Sequence, residues 1–243
     1  MELAGRVALV TGAGQRVGQA IAVALGGRGM RVAVHYRGSA EGAEATCAAV
    51  RDAGGDAQAF RADLAETDAP ARLVDDVARH FGALDVLVNS AAVMERTPVA
   101  EVTPARWDAM FAVNLRAPFF CAQAAARHMG ERGGAVVNLA DLAAFETWPA
   151  YVPHTVTKAG VVQMTRALAR ALGPRVRVNA VAPGVVLLPE GWSEADAERL
   201  RSTTPLARNG SPEDVVRAVL YLLAADFVTG DVLLVDGGRH VRT

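Results

Sequence analysis

Lysine is nearly missing from this chain. Of its 243 residues only Lys158 is a lysine, and every other basic side chain apart from histidine is arginine. Arginine serves wherever a generic cation is needed, so the lone lysine hints at a place that wants a compact ammonium. Cysteine is almost as scarce. Cys47 and Cys121 are the only two, both lie in alanine-rich stretches with helical spacing, and nothing near them has the spacing of metal ligands. They read as small buried hydrophobes, with a disulfide as the alternative and no metal site. Net charge is missing too: the formal value of −1 gives no electrostatic footing for nucleic acid or an anionic membrane. No apolar run reaches the ~18–20 residues of a membrane span. The opening MELAGRVALVTG has neither the basic region nor the cleavage site of a signal peptide. These absences lead us to expect a cytoplasmic protein that acts on a small molecule, with no nucleic-acid, membrane or metal partner.

Hydrophobic residues are plentiful, at 51% against 21% charged, enough for a sizeable core. They fall into a repeating order of β-rich run, glycine turn and helical spacing. Strands are predicted over Arg6–Thr11, Arg31–Tyr36, Ala57–Arg61, Leu84–Asn89, Gly134–Leu139, Arg175–Val181 and Val232–Val235. Helices are predicted over Gln15–Gly26, Ala40–Ala53, Ala69–Phe81, one long stretch Pro104–Met129, Val152–Leu172 and Pro212–Ala224. This alternation implies a single α/β domain, a doubly wound parallel sheet with helices on both faces. Val185–Ser211, carrying Pro189, Glu190, Gly191 and Trp192 and then SEADAERLR, breaks the rhythm. An insertion after a strand lies at a carboxyl end of the sheet, where such folds bind ligands, so it reads as a lid over substrate or else as an ordinary surface loop.

Around Lys158 the sequence NLADLAAFETWPAYVPHTVTKAG gathers acid–base groups. With a helix beginning near Pro153, His154 and Lys158 share one face a turn apart, and Asp141 stands just beyond a strand ending VVNL. At the other end of the chain, Gly12, Gly14 and Gly18 sit between the first strand and the first helix. That is where a backbone approaches a pyrophosphate and a helix N-terminus offers N–H donors; a tight turn without ligand is the plainer reading. The second strand ends His35-Tyr36-Arg37-Gly38-Ser39. It lacks the acid that would grip a ribose 2′-hydroxyl and repel a 2′-phosphate. Arg37 and Ser39 suit a phosphate, which favours NADPH, unless Arg37 is only a solvated surface arginine. Asp63, after the third strand, is placed to accept from an adenine amino group or to cap the following helix.

Together these residues resemble the short-chain dehydrogenase/reductase family over essentially the whole chain. TGAGQRVG, with Arg16 and Val17 inside it, is similar to the family's TGxxxGxG turn, and Asp63-Leu64 to its adenine-binding aspartate. Asn89-Ser90-Ala91-Ala92 resembles the Asn-Asn-Ala-Gly segment that stabilises the central sheet. Asn114 and Lys158 fall at the catalytic Asn and Lys. Asn179–Gly184, with Pro183 and Gly184, resembles the loop beside nicotinamide, where the Val186 backbone holds the carboxamide. The resemblance implies that Lys158 orients the nicotinamide ribose and that Asn114 holds a water linking Lys158 to solvent. It also implies a homo-oligomer, dimer or tetramer, seamed along Pro104–Met129 and Val152–Leu172. Their alanine-rich faces allow close helix packing, although a buried core face explains the same letters.

Three positions depart from the pattern. Arg16 replaces the middle glycine of the turn, Asp141 the catalytic Ser, and His154 the catalytic Tyr. The first two changes, and loosely HYRGSAEGAE, resemble the pteridine reductase branch; Met94, where that branch stacks an aromatic on pterin, does not. Arg16 meets the pyrophosphate or a substrate anion, or else faces solvent at the helix start. An imidazole, with an ordinary pKa of ~6.5, suits proton donation near neutrality. Three readings of His154 follow: it is the proton donor of an NADPH-dependent reductase of C=N or C=O bonds, or Tyr151 swings in as donor instead, or the acid is lost and the protein binds NADPH without turnover. A pterin or dihydrofolate-like substrate and a 3-oxoacyl or ketone substrate both remain open, and a working His154 should slow the reaction above neutral pH.

Overall fold

The computed structural model describes residues 1–187 and 193–241. Its centre is a sheet of seven strands in the order β3-β2-β1-β4-β5-β6-β7, every neighbouring pair parallel. The strands are β1 Val7–Val10, β2 Arg31–Tyr36, β3 Asp56–Arg61, β4 Val86–Asn89, β5 Gly134–Leu139, β6 Val176–Pro183 and β7 Val232–Val235. The helices are α1 Arg16–Gly26, α2 Ala40–Asp52, α3 Ala69–Phe81, α4 Pro104–Phe111, α5 Ala117–Met129, α6 Val152–Leu172, α7 Glu194–Ser202 and α8 Pro212–Ala224. Strand pleating divides the apolar residues between two cores. Ala8 and Val10 of β1 pack with Ile21 and Leu25 of α1, Cys47 of α2 and Leu222 of α8. Val7 and Leu9 face the other way, onto Leu73 of α3, Cys121 of α5 and Leu168 of α6. Strands covered on both sides must be apolar on both sides, which is why they read as unbroken runs. Both cysteines are free and buried.

Most predicted elements are observed with ends shifted by one or two residues. β1 and β4 are shorter than expected, losing Arg6, Thr11, Leu84 and Asp85, while β6 continues to Pro183. The long helix expected over Pro104–Met129 needs a larger correction. It is α4 and α5 joined by a π-turn over Ala112–Arg116. Pro118 accounts for it. It lies four residues after Asn114 and has no N–H, so the Asn114 carbonyl lacks the donor that an α-helix would supply. Single π-turns of this kind gather at functional sites.

The order of strands places a winding reversal between β1 and β4. β1 leads outward to β2 and β3, whereas β4 leads to β5, β6 and β7. The loops leaving β1 and β4 therefore part at their carboxyl ends and leave a crevice. The insertion after β6 contains α7, whose N-cap Ser193 forms a reciprocal capping box with Asp196. Its base is closed by the Gly210 N–H donating to the Val185 carbonyl at 2.9 Å. Pro189, Glu190, Gly191 and Trp192, expected at the front of this lid, lie outside the described residues. Among the described residues no helix is long and apolar enough to cross a membrane.

Candidate active site

The crevice is a cleft of about 430 Å³. Its lining includes Gly12, Gly14, Arg16, Val17 and Gly18 from the first turn, and Tyr36, Arg37 and Ser39 from the end of β2. Asp63 and Leu64 come from the end of β3 and Ala91 from the end of β4. Eleven expected nucleotide residues thus meet in one place. Asn89, Lys158, Pro183, Gly184 and Val186 do not line it. Asn89 lies beneath it, buried, its amide donating to Asn138 Oδ1 at 2.9 Å. Asn138 in turn donates to Thr165 Oγ1 at 3.0 Å, so a buried polar chain ties β4 and β5 to α6.

The glycine turn is built for close approach. A Cβ on Gly18 would stand 2.3 Å from the Gly12 carbonyl oxygen, and one on Gly12 2.8 Å from Ala91 Cα. Gly12 also has φ +67, which glycine adopts without strain. Arg16, standing where the family pattern has glycine, still takes the left-handed backbone, with φ +57. A side chain there is strained, and strain of this sort collects at ligand sites. Gln15 caps α1 without a side-chain hydrogen bond, which leaves the helix N–H groups free for an anion. Arg16 and Arg37 are exposed. The residues therefore fit a dinucleotide phosphate, and no acid at the end of β2 opposes a 2′-phosphate.

Sequence reasoning missed one residue that holds this turn. His35 is 2% exposed. Its Nδ1 accepts from the Gly12 N–H at 3.0 Å, and its Nε2 donates to the Ala62 carbonyl at 3.1 Å. Burial lowers its pKa to about 4, against smaller opposing effects of the Ala62 bond and Asp63. The ring is neutral and clamps the turn to the end of β3. The one available signal was a histidine among apolar letters near a strand end. Asp63 does not cap α3, a position held by Asp68; its Oδ1 accepts from the Ala65 N–H at 3.0 Å.

The acid–base residues assemble where β5 gives way to α6. Asp141 follows the strand and begins a short 3-10 turn, its Oδ1 accepting from the Ala143 N–H at 2.8 Å. α6 starts at Val152 because Pro153 suits a first helical turn, and this sets His154 and Lys158 on one buried face. His154 Nε2 lies 3.5 Å from Asp141 Oδ2. Its Nδ1 is buried with no partner among the described residues. Lys158 Nζ donates to the Leu139 carbonyl at 2.8 Å. Burial pushes the Lys158 pKa below the ordinary range, with Asp141 acting against it.

Asn114 connects this cluster to the cleft. Its Oδ1 accepts from the Val93 N–H and its Nδ2 donates to the Val93 carbonyl, both at 2.8 Å. The Nδ2 also reaches Thr157 Oγ1 at 3.3 Å, and that hydroxyl donates to the His154 carbonyl at 2.8 Å. Val93 and Val113 line the cleft. Tyr151 packs its ring edge-on against Trp148, with centroids 6.1 Å apart. The loops around the cluster are tied together. The Thr97 N–H donates to the Ala150 carbonyl at 2.8 Å, and Arg239 meets Glu146 at 3.5 Å. Pro183 ends β6, and the Gly184 N–H donates to the Val235 carbonyl at 3.0 Å. Val186 packs against the core on the α1 and α8 side. Among the described residues no group of acidic, histidine or cysteine side chains is arranged to hold a metal.

Comparison with known proteins points the same way. Residues 12–240 match the family model described as enoyl-(acyl carrier protein) reductase. The candidate ketoacyl reductase 2 of the granaticin polyketide synthase of Streptomyces violaceoruber is 42% identical, over 97% of this chain and 96% of the relative. Versicolorin reductase stcU of Emericella nidulans is 37% identical over 97% of this chain and 96% of its own length. Among solved structures, the angucycline C-6 ketoreductase LanV with bound NADP superposes with a TM-score of 0.92 at 32% identity, covering 99% of this chain and 98% of that one. With its fold, its glycine turn and its Asn114–Lys158 cluster, the chain belongs to the short-chain dehydrogenase/reductase family.

Proposed function

We propose that the protein is an NADPH-dependent reductase of carbonyl compounds in which His154 is the proton donor. One observation carries the reading: Asp141, His154 and Lys158 gather where β5 gives way to α6, and Thr157 ties His154 to Asn114, which holds Val93 in the lining of a glycine-walled cleft that also includes Arg16, Arg37 and Ser39. The relatives named above as ketoreductases and reductases favour a C=O substrate. Bound in the cleft, NADPH supplies a hydride to the substrate carbon.

The chain's own residues do the rest. The α1 N-terminus and Arg16 take the pyrophosphate, Arg37 and Ser39 the 2′-phosphate, and Asp63 the adenine. Pro183, Gly184 and the Val186 backbone hold the carboxamide, and Lys158 orients the ribose. His154 gives its proton to the oxygen that gains charge as the carbonyl is reduced, and Asp141 stands 3.5 Å from the ring. Positioned acids of this kind contribute ~10²–10⁴ in rate. Asn114 holds a water that links Lys158 to solvent. The segment 185–211 closes over the substrate. A homo-oligomer in the cytoplasm belongs to the same reading. Phe119 and Phe120 on α5 and Val156 on α6 are exposed and available for a dimer or tetramer seam.

A second reading, an NADPH-binding protein without turnover, draws on the same imidazole. At 3.5 Å its contact with Asp141 is at the limit of a hydrogen bond, and its Nδ1 is unpartnered. A pterin or dihydrofolate-like C=N substrate draws on Arg16, Asp141 and, loosely, the HYRGSAEGAE stretch, and Met94 offers it no stacking ring. One experiment separates the three. NADPH oxidation is followed with a 3-oxoacyl thioester, a polycyclic aromatic ketone, dihydrobiopterin and dihydrofolate, for the unmodified protein, His154→Ala and His154→Tyr. We expect ketone turnover that falls by ~10²–10⁴ in His154→Ala. No turnover until tyrosine is introduced would establish the second reading and reject the first.

A further inference from the structure

Arg116 closes the π-turn that carries Asn114, and its side chain leaves that turn for a distant loop. Its Nη2 donates to the Ala65 carbonyl, 51 residues away in sequence. The peptides around Ala65 are thereby held on both sides, because the Ala65 N–H donates to Asp63 Oδ1 at 3.0 Å. Asp63 and Leu64 line the cleft where β3 ends. Where β4 ends, the same π-turn fixes Val93, another lining residue, through both polar atoms of the Asn114 amide. One side chain thus joins the loop at the adenosine end to the turn at the reacting end. No carboxylate among the described residues neutralises it, and Glu66, next to Ala65, bonds Arg72 at 3.2 Å instead. Its Nε is buried without a partner. An apolar side chain would fill this space without leaving a buried donor unpaired, so packing alone does not account for a guanidinium.

We propose that Arg116 is a positioning residue that couples the two ends of the dinucleotide site, holding the Asp63 loop in its nucleotide-accepting shape against the turn that presents Asn114. The inference rests on reading the cleft as an NADPH site, and it adds a residue that touches neither nucleotide nor substrate. A residue acting through the Asp63 loop should matter only to a nucleotide that has an adenosine half. Reduced nicotinamide mononucleotide lacks that half and serves as the control.

The test measures binding of NADPH and of reduced nicotinamide mononucleotide by their nucleotide fluorescence, without substrate, in the unmodified protein, Arg116→Gln and Arg116→Lys. Loss of a charge-assisted bond predicts NADPH affinity about tenfold weaker in Arg116→Gln, partly restored in Arg116→Lys, with the mononucleotide within about twofold in both. Unchanged NADPH affinity in Arg116→Gln overturns the coupling and leaves the cofactor reading standing. Equal weakening of both nucleotides also overturns it, in favour of general disturbance of the fold. Failure of the unmodified protein to bind NADPH overturns the coupling and the cofactor reading together.

Discussion

Replacing His35 by phenylalanine keeps an aromatic ring of similar size and removes both nitrogens, so it isolates what the imidazole does. In the native protein Nδ1 accepts from Gly12 and Nε2 donates to Ala62. Phenylalanine leaves those two backbone groups unpaired, at a cost of ~1–3 kcal/mol for each one cut off from water. The variant should therefore be less stable at pH 7.5. The pH dependence is more diagnostic. Burial lowers the His35 pKa from 6.5 to about 4, so between those values the unfolded chain binds a proton that the folded chain refuses. Its stabilising contribution is complete above pH 6.5 and is lost as the pH falls toward 4. At pH 5 the loss is ~1.5 pH units at ~1.36 kcal/mol each, or ~2 kcal/mol. Phenylalanine has no such term, so the stability gap between native and variant should be ~2 kcal/mol smaller at pH 5 than at pH 7.5. Urea unfolding followed by far-UV circular dichroism, at one protein concentration and both pH values, measures the gap. A gap that is constant, or that widens on acidification, would refute a buried neutral imidazole as the clamp on the turn.

Three further outcomes can be checked with purified variants. Gly18→Ala puts a Cβ 2.3 Å from the Gly12 carbonyl; the turn must move, and isothermal titration should show NADPH binding at least about tenfold weaker. Arg37→Asp reverses the charge proposed to meet the 2′-phosphate, and the ratio of kcat/KM for NADPH to that for NADH should fall by roughly 10–100-fold. Asn138→Ala removes the middle of the Asn89–Asn138–Thr165 chain. It takes one buried bond from each neighbour, leaving the Asn89 amide with only the Pro118 carbonyl and the Thr165 hydroxyl with only the Val161 carbonyl, so denaturant midpoints should show a loss of roughly 1–3 kcal/mol.

Much of the cleft lining was legible in the letters because its parts are local. Gly12, Gly14 and Gly18 occupy one turn, and His154 and Lys158 one helical face. Each such group depends on spacings of a few residues, which backbone geometry converts directly into neighbours. Asp63 lines the cleft, and the alternative that it caps the next helix fails because α3 starts later, behind Asp68. The π-turn was invisible to helical periodicity, which runs through Pro104–Met129 without a break. Only the missing N–H of Pro118, counted back to Asn114, gives a local sign of it. His35, Val93 and Arg116 were not identified as site residues at all. Their partners lie 23, 21 and 51 residues away, and no periodic pattern records a contact of that range.

By itself, then, the sequence determined the alternation of strand and helix and the glycine turn, which follow from composition and short spacing, and its ordered motifs carried the resemblance to the family. The tertiary structure alone decided how the two ends of the site are held. The parallel sheet sets the ends of β1, β2, β3 and β4 side by side, and His35 and Arg116 reach across those ends. Long-range hydrogen bonds of this kind exist only once the sheet has closed the distance.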